Sequence, residues 1–239
     1  MITSSSNDKI KEIKKLRNNK YMIENKKFII EGEHLVKEAL KAGILLETIS
    51  TKEVNYGVLN TLVKENVIKS ISNLKSAPDV IGICKITDSN KALGNKIIIL
   101  DNVQDPGNLG TIIRSANAFG FNDIILSDTC VKKYNEKVIR ATQGMIFNMN
   151  VVTKNLKEFI SYLIENGYIV YGTNVVNGID VSNIKNEDKL AVIMGSEGAG
   201  MSLDLEALVD KNIYIKMNDT CESLNVAVAS SIIMYELNK

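Results

Sequence analysis

From Ile97 to the C-terminus the chain repeats one pattern: a short run rich in Ile and Val, a polar stretch, then an apolar stripe at helical spacing. Strands are expected at Ile97 to Leu100, Asp123 to Ser127, Asn150 to Thr153, Tyr168 to Gly172, Leu190 to Met194 and Ile213 to Met217. Helices are expected over Leu109 to Phe119, Glu136 to Thr142, Leu156 to Asn166, Leu203 to Val209 and from about Ser223 to Leu237. Apolar strands alternating with helices predict an α/β fold with a mostly parallel sheet covered on both faces. In such sheets the ligand crevice lies beyond the carboxyl ends of the strands, so the residues that follow each strand are the candidates for chemistry. The last helix is apolar nearly all round, which predicts burial in the core or against a second subunit.

Upstream the pattern is less regular. Phe28 to Ile30 reads as a strand, and Leu35, Val36, Ala39, Leu40 and Ile44 as a helical stripe ending near Gly43. Thr48 to Ser50 reads as a strand, Tyr56 to Asn66 as a helix, and Val67 to Ile71 and Ile81 to Ile86 as strands. This is a small α/β unit. The polar stretch Thr87 to Asn95 has no apolar period and is the expected linker, which divides residues 1–90 from 91–239. Residues 1–27 carry eight basic side chains against three acidic ones, while the whole chain has a formal net charge of only +1. A basic arm of this kind suits phosphate groups, and the same run also suits a solvated helix face.

Composition narrows the classes further. An apolar fraction of 45% with 24% charged residues is that of a folded globular protein, and no apolar run approaches the roughly 20 residues of a membrane span. The start MITSSSNDKIKEIKK lacks the apolar stretch and cleavage site of a signal peptide, so a cytoplasmic location is expected. Cys84, Cys130 and Cys221 are far apart and form no CxxC pair, which predicts free thiols and neither a disulfide framework nor a zinc site. With no Trp and 5% aromatics, an aromatic platform that stacks many bases is not expected.

Three segments that follow strands are unusual in polar and glycine content. DNVQDPGNLGTIIRSANAFG, residues 101–120, opens a helix. It reads either as a loop with Asn108 as N-cap and Arg114 facing solvent, or as an anion site built from the helix N-terminus and Arg114. MGSEGAGMS, residues 194–202, places Gly195, Gly198 and Gly200 around Glu197, where the backbone can pass close to a ligand or simply turn. Its GxxGxG spacing after a late strand is not the first-strand GxGxxG of a dinucleotide-binding oxidoreductase. IYIKMNDTCESLNVAVAS, residues 213–230, joins a strand to the final helix through Asn218, Asp219, Thr220 and Ser223, which are loop or capping residues on their own showing.

In order and spacing these segments resemble the three signature motifs of the SpoU (TrmH-like) branch of the SPOUT RNA methyltransferases. FIIEGEHLVKEALKAG, residues 28–43, is similar to the substrate-binding domain that precedes the catalytic domain in ribosomal RNA members, so the resemblance runs from Lys9 onward. It implies a C-terminal domain threaded into a deep trefoil knot, which pattern alone never predicts. It also implies S-adenosylmethionine as methyl donor, a ribose 2′-hydroxyl in RNA as acceptor, a homodimer, no metal and no membrane. Large-subunit ribosomal RNA is the expected substrate, with transfer RNA and a silent RNA-binding or ribosome-assembly role as alternatives.

Carried over by motif, Asn108 and Arg114 match the first motif, Glu197 the second, and Ser223 and Asn225 the third. Thr173, Asn174, Gly195, Ile215, Met217 and Leu224 match the cofactor-binding positions. The chain departs from the pattern at Lys216, where the third motif has Pro, at Thr142 and Met145, where Ser and Ala are commoner, and in SAPDVIGIC, residues 76–84. The one histidine, His34, lies in the first domain, so no imidazole is expected at the reaction centre. The resemblance implies that Arg114 activates the hydroxyl with help from an RNA phosphate; because arginine stays protonated, Arg114 is expected instead to grip that phosphate and orient the nucleotide. Asn108, Ser223 and Asn225 would hold ribose and phosphate, and Glu197 would orient Arg114.

Overall fold

A computed structural model describes residues 1–87, 91–174, 178–184, 187–196, 198 and 200–239. The chain divides into two compact units, Met1–Asp88 and Ser89–Lys239. Residues 88–90 of the expected linker lie outside the described residues.

The first unit contains α1 (Asp8–Lys15), α2 (Asn19–Asn25), β1 (Lys27–Glu31), α3 (Glu33–Lys41), β2 (Leu45–Ser50), β3 (Leu59–Leu62), α4 (Glu65–Ile71) and β4 (Val80–Lys85). Its sheet has the order β1-β4-β2-β3, with β4 antiparallel to both neighbours and β3 parallel to β2. The basic stretch is no loose arm. Ile10, Ile13 and Leu16 form an apolar stripe that packs into one cluster with Ile49, Val67, Ile68, Ile71 and Ile81. Arg17 bonds Glu31 at 2.5 Å and donates to the carbonyl of Ile71, while Ser72 and the Asn73 amide complete the half-shell of the buried Glu31 carboxylate. Lys9 pairs with Glu47 at 2.7 Å. Part of the N-terminal positive charge is therefore held internally, and Lys20, Lys26 and Lys27 remain exposed.

The expected helix over Tyr56 to Asn66 and strand at Val67 to Ile71 are both corrected. The first region holds strand β3, paired with β2 at the sheet edge, and the second is helix α4. Short apolar runs are ambiguous between strand and helix. In α4 the burial of Val67, Ile68 and Ile71 at i, i+1 and i+4 settles the period as helical. The half-exposed residues of β3 show no inside-outside alternation that a pattern search can find.

The second unit contains β5 (Lys96–Leu100), α5 (Pro106–Ala118), β6 (Asp123–Leu126), α6 (Glu136–Ala141), β7 (Asn150–Thr153), α7 (Leu156–Glu165), β8 (Ile169–Thr173), β9 (Ile179–Asp180), β10 (Leu190–Met194), α8 (Leu203–Glu206), β11 (Lys211–Tyr214) and α9 (Val226–Glu236). Its strand order is β7-β6-β5-β10-β8-β11-β9, and every paired neighbour is parallel. Alternate residues of β5 face opposite cores. Ile98 and Leu100 pack toward α5 and α9, and Ile97 and Ile99 toward α7. The chain first runs outward through β6 and β7, then returns to β8 on the far side, and β10 fills the place between β5 and β8. This reversal is where a parallel sheet opens a ligand crevice.

Helix α8 is shorter than expected, β11 ends at Tyr214, and α9 starts after Asn225. The last stretch of the expected linker is tied to this unit, with the Gly94 amide donating to the buried Asp123 at 2.8 Å and Tyr168 Oη donating to the Gly94 carbonyl at 2.9 Å. The three cysteines are free thiols, and burial pushes the Cys84 thiol far above its usual range, which leaves it a packing residue. Among the described residues no helix is long and apolar enough to cross a membrane.

Helices α5 and α6 touch at Gly110, where an added Cβ would lie 2.2 Å from Ala141 Cβ. Gly110→Ala is expected to cost about 2 kcal/mol in urea unfolding because the helices must separate, and Ala141→Gly in the same chain should restore part of that loss. An unchanged midpoint for Gly110→Ala would show that this contact does not set the helix spacing.

Candidate active site

The three polar segments meet at the carboxyl edge of the parallel sheet because their strands β5, β10 and β11 end there. The first begins directly after β5, where the Asp101 amide donates to the Met194 carbonyl at 2.9 Å. Asp101 Oδ2 accepts from the Ser202 amide at 2.9 Å, which ties the first segment to the second. Asn225 Nδ2 donates to Asn108 Oδ1 at 3.1 Å, which ties the third segment to the first.

Asn108 is not the N-cap of α5. Asp105 takes that place and accepts from the Asn108 amide at 2.8 Å, with Pro106 as the first helical residue. The Asn108 side chain is left to meet Asn225. Asn225 in turn caps α9, its Oδ1 accepting from the amides of Ala227 and Val228 at 3.0 and 3.3 Å. One carboxamide therefore starts the last helix with its oxygen and joins the first segment with its nitrogen. Farther along, Ser115 and Ser231 hydroxyls lie 2.7 Å apart and Phe119 meets Tyr235 edge to face at 5.7 Å, so α5 and α9 run side by side. Arg114 stands exposed on α5, and its guanidinium makes no hydrogen bond or ion pair with the other described residues. Glu197 lies outside the described residues.

A cavity of ≈ 620 Å³ opens among the ends of β8, β10 and β11. Thr173 and Asn174, Gly195, Ile215, Met217, Ser223 and Leu224 all line it, so six expected cofactor positions and one expected catalytic position share one space. Asn225 lies between the lining residues Leu224 and Val226. Gly195 has no room for a side chain, since a Cβ would fall 2.1 Å from the carbonyl carbon of Gly200 and the amide of Met201. Ser196 and Gly200 exchange two backbone hydrogen bonds across this turn, 3.0 and 2.9 Å long. Thr173 Oγ1 donates to the Ile193 carbonyl at 2.9 Å, fixing the rim between β8 and β10.

Lys216 does not line the cavity, although Ile215 and Met217 on either side of it do. The Asp180 carboxyl is held below its ordinary range by hydrogen bonds from Ser182 and then by the charge of Lys216. The residue that departs from the motif thus leaves the cavity wall to its apolar neighbours.

Glu206 and Glu222 also line the cavity, and the sequence reading singled out neither. Glu206 Oε1 accepts from Asn174 Nδ2 at 3.2 Å. No spacing rule links a residue at the end of β8 to one on α8, so only the fold reveals this pair. Asp101 was missed for the same reason, because its partner Ser202 is remote in sequence.

Residues 95–235 match the model of the SpoU rRNA Methylase family, and residues 7–82 match that of the MRM3-like substrate binding domain. The 23S rRNA (guanosine(2553)-2'-O)-methyltransferase RlmP of Bacillus subtilis is 35% identical over 243 residues, covering 99% of this chain and 98% of that protein. An AdoMet-bound rRNA methyltransferase from Sinorhizobium meliloti superposes with a TM-score of 0.87 at 30% identity, covering 99% of this chain and 96% of that one. The SpoU methyltransferase AviRb of Streptomyces viridochromogenes, in complex with AdoMet, shares the fold with a TM-score of 0.85 at 20% identity, over 97% of both chains.

Asn225→Ala removes both the helix cap and the link to Asn108, and should lower unfolding stability by about 1 kcal/mol. Asn225→Asp keeps the capping oxygen and should stay within about 0.5 kcal/mol of the parent. Equal losses in urea titrations of the two variants would show that the cap is not the stabilising part.

Proposed function

The chain belongs to the SpoU rRNA methylase family, and from that premise we propose that it methylates the ribose 2′-hydroxyl of a guanosine in large-subunit ribosomal RNA. It is an RNA 2′-O-ribose methyltransferase that uses S-adenosylmethionine as donor. The observation that carries the reading of the site is the cavity at the ends of β8, β10 and β11, with the Asn108–Asn225 bond beside it.

The residues present fit the donor. The cavity has the volume of a site for a ligand of this size, its wall combines apolar Ile215, Met217 and Leu224 with polar strand ends, and Gly195 keeps side-chain atoms out of the turn. Thr173, Asn174, Gly195, Ile215, Met217 and Leu224 would hold it. S-adenosylmethionine supplies a methyl group on a sulfonium, already a good leaving group, so the protein has mainly to align the hydroxyl and stabilise its developing charge.

Arg114 is exposed and permanently charged, and it grips the phosphate of the target nucleotide. Asn108 and Asn225 form a rigid amide pair that positions the ribose, with Ser223 on the cavity wall beside them. Glu197 orients Arg114 in this reading. The exposed lysines of the first unit meet the RNA backbone, and this unit chooses the target. In this reading the protein works in the cytoplasm, where ribosomal RNA is its substrate.

The same reading makes the protein a knotted homodimer. Helix α9 buries Val226, Ile233 and Met234 but leaves Val228 and Tyr235 exposed, with Ile232 half-exposed between them. These three stand at i, i+4 and i+7, which is a stripe for a second helix. Val228→Asp is expected to sediment as a monomer at concentrations where the parent sediments as a dimer. A Val228→Asp dimer would exclude this face.

Tritiated methyl transfer from S-adenosylmethionine to protein-free large-subunit ribosomal RNA should map to one 2′-O-methylguanosine. Arg114→Ala should reduce the rate roughly a hundredfold or more, and Arg114→Lys less, because the charge remains while the two-pronged grip is lost. Incorporation into transfer RNA alone would overturn the substrate, and near-normal turnover by Arg114→Ala would overturn the role of Arg114.

A further inference from the structure

The charge of the cavity is one-sided. Glu206 and Glu222 line it, and no Lys, Arg or His lines it among the described residues. Lys216, between the lining residues Ile215 and Met217, does not line it. Glu206 is also fixed in place, because Asn174 Nδ2 holds one of its carboxylate oxygens at 3.2 Å.

The reaction changes the charge of whatever occupies this space. Transfer breaks the bond between methyl carbon and sulfur and forms one between that carbon and the ribose oxygen. The electron pair of the broken bond stays on sulfur, and the hydroxyl proton leaves to solvent. The donor enters with a sulfonium, an ammonium and a carboxylate, and the product leaves with only the last two charges. A cavity with acidic lining discriminates between a ligand of net charge +1 and one of net charge zero.

We propose that Glu206, held by Asn174 and assisted by Glu222, makes this cavity select the positively charged methyl donor over its spent, neutral thioether product. This rests on the methyl-donor reading of the site. It assigns the two carboxylates a task separate from the chemistry: they favour entry of the donor and exit of the product, so the enzyme resists inhibition by its own product. Geometry supports Glu206 as the more constant of the two charges, since α8 and Asn174 both restrain it while Glu222 stands on the exposed loop before α9.

Calorimetric titration of the full chain with S-adenosylmethionine and with S-adenosylhomocysteine tests this. The wild type should bind the donor more tightly than the product. Glu206→Gln keeps an oxygen for Asn174 Nδ2 and removes only the charge. It should weaken donor binding roughly fivefold, the weight of one partly hydrated charge pair, and change product binding less than about twofold. Glu206→Gln with Glu222→Gln should abolish the preference, and added salt should reduce it in the wild type. Thermal melting of each variant serves as the folding control.

Parallel weakening of donor and product by Glu206→Gln would overturn the proposal, because the carboxylate would then hold a group that both ligands share. Unchanged affinities, or a wild type that favours the product, would overturn it as well. A wild type that binds neither ligand would defeat the methyl-donor reading and this proposal with it, whereas equal affinity for both defeats this proposal alone.

Discussion

The second unit depends on a return of the chain. After β11, on the far side of β8, the polypeptide comes back over the sheet to lay α9 along α5, and Asn225 is the residue at which that return becomes a helix. Its side chain satisfies two of the amides that every helix start leaves without partners, and its nitrogen reaches the Asn108 oxygen. Lys96 Nζ, at the start of β5, donates to the Leu237 carbonyl at 2.8 Å and closes the other end of α9. Both ends of the helix are thus fixed to β5 and the helix that follows it. With α9 displaced, the residues of the third segment would lose their place on the cavity wall, and Asn108 would lose its partner.

The cavity follows from that closure together with the strand order. Because β10 is inserted between β5 and β8, the turn after β10 is flanked on one side by the loop that starts α5 and on the other by the end of β8. Asp101 holds the first flank through Ser202, and Thr173 the second through the Ile193 carbonyl. Backbone groups supply most of this frame. Side-chain identity therefore matters chiefly where a side chain is excluded, as at Gly195, or where it carries a charge, as at Glu206.

The second unit was legible in the sequence, and the physical reason is its parallel sheet. Strands buried on both faces are apolar throughout, so Ile97 to Leu100 and Leu190 to Met194 stand out from the polar turns around them. The first unit mixes edge and central strands, and there Val67 to Ile71 was read as a strand although it is a helix. The charge of residues 1–27 is plain in the sequence and suits a solvated helix face, whereas the buried stripe of Ile10, Ile13 and Leu16 is hidden among the lysines. At the site, residues within one segment can be picked out by motif. Pairs made by the fold, such as Asn174 with Glu206 and Asp101 with Ser202, have no signature in one dimension. Asn108 shows both sides of this. Its place in the motif is readable, while the N-cap that was one of its two readings belongs to Asp105, since Asp and Asn near a helix start fit that role equally well by type.

An enzyme of this family has to bind two ligands of opposite charge within a few ångströms of each other, a cationic donor and a polyanionic RNA. A shared field cannot serve both, because groups that attract one repel the other. In the proposed reading the two are kept apart by depth and by sign. Carboxylates line the cavity, and Arg114 stands exposed on α5, outside the cavity wall. The Asn108–Asn225 pair, beside the cavity, has hydrogen-bonding capacity and no net charge. A neutral pair of this kind lets each charge act over a short range without cancelling the other, since two opposite charges in direct contact would pair with one another instead of with their ligands. The absence of an imidazole from this unit fits the same logic. An imidazole changes its charge near neutral pH and would change the field at the boundary with it.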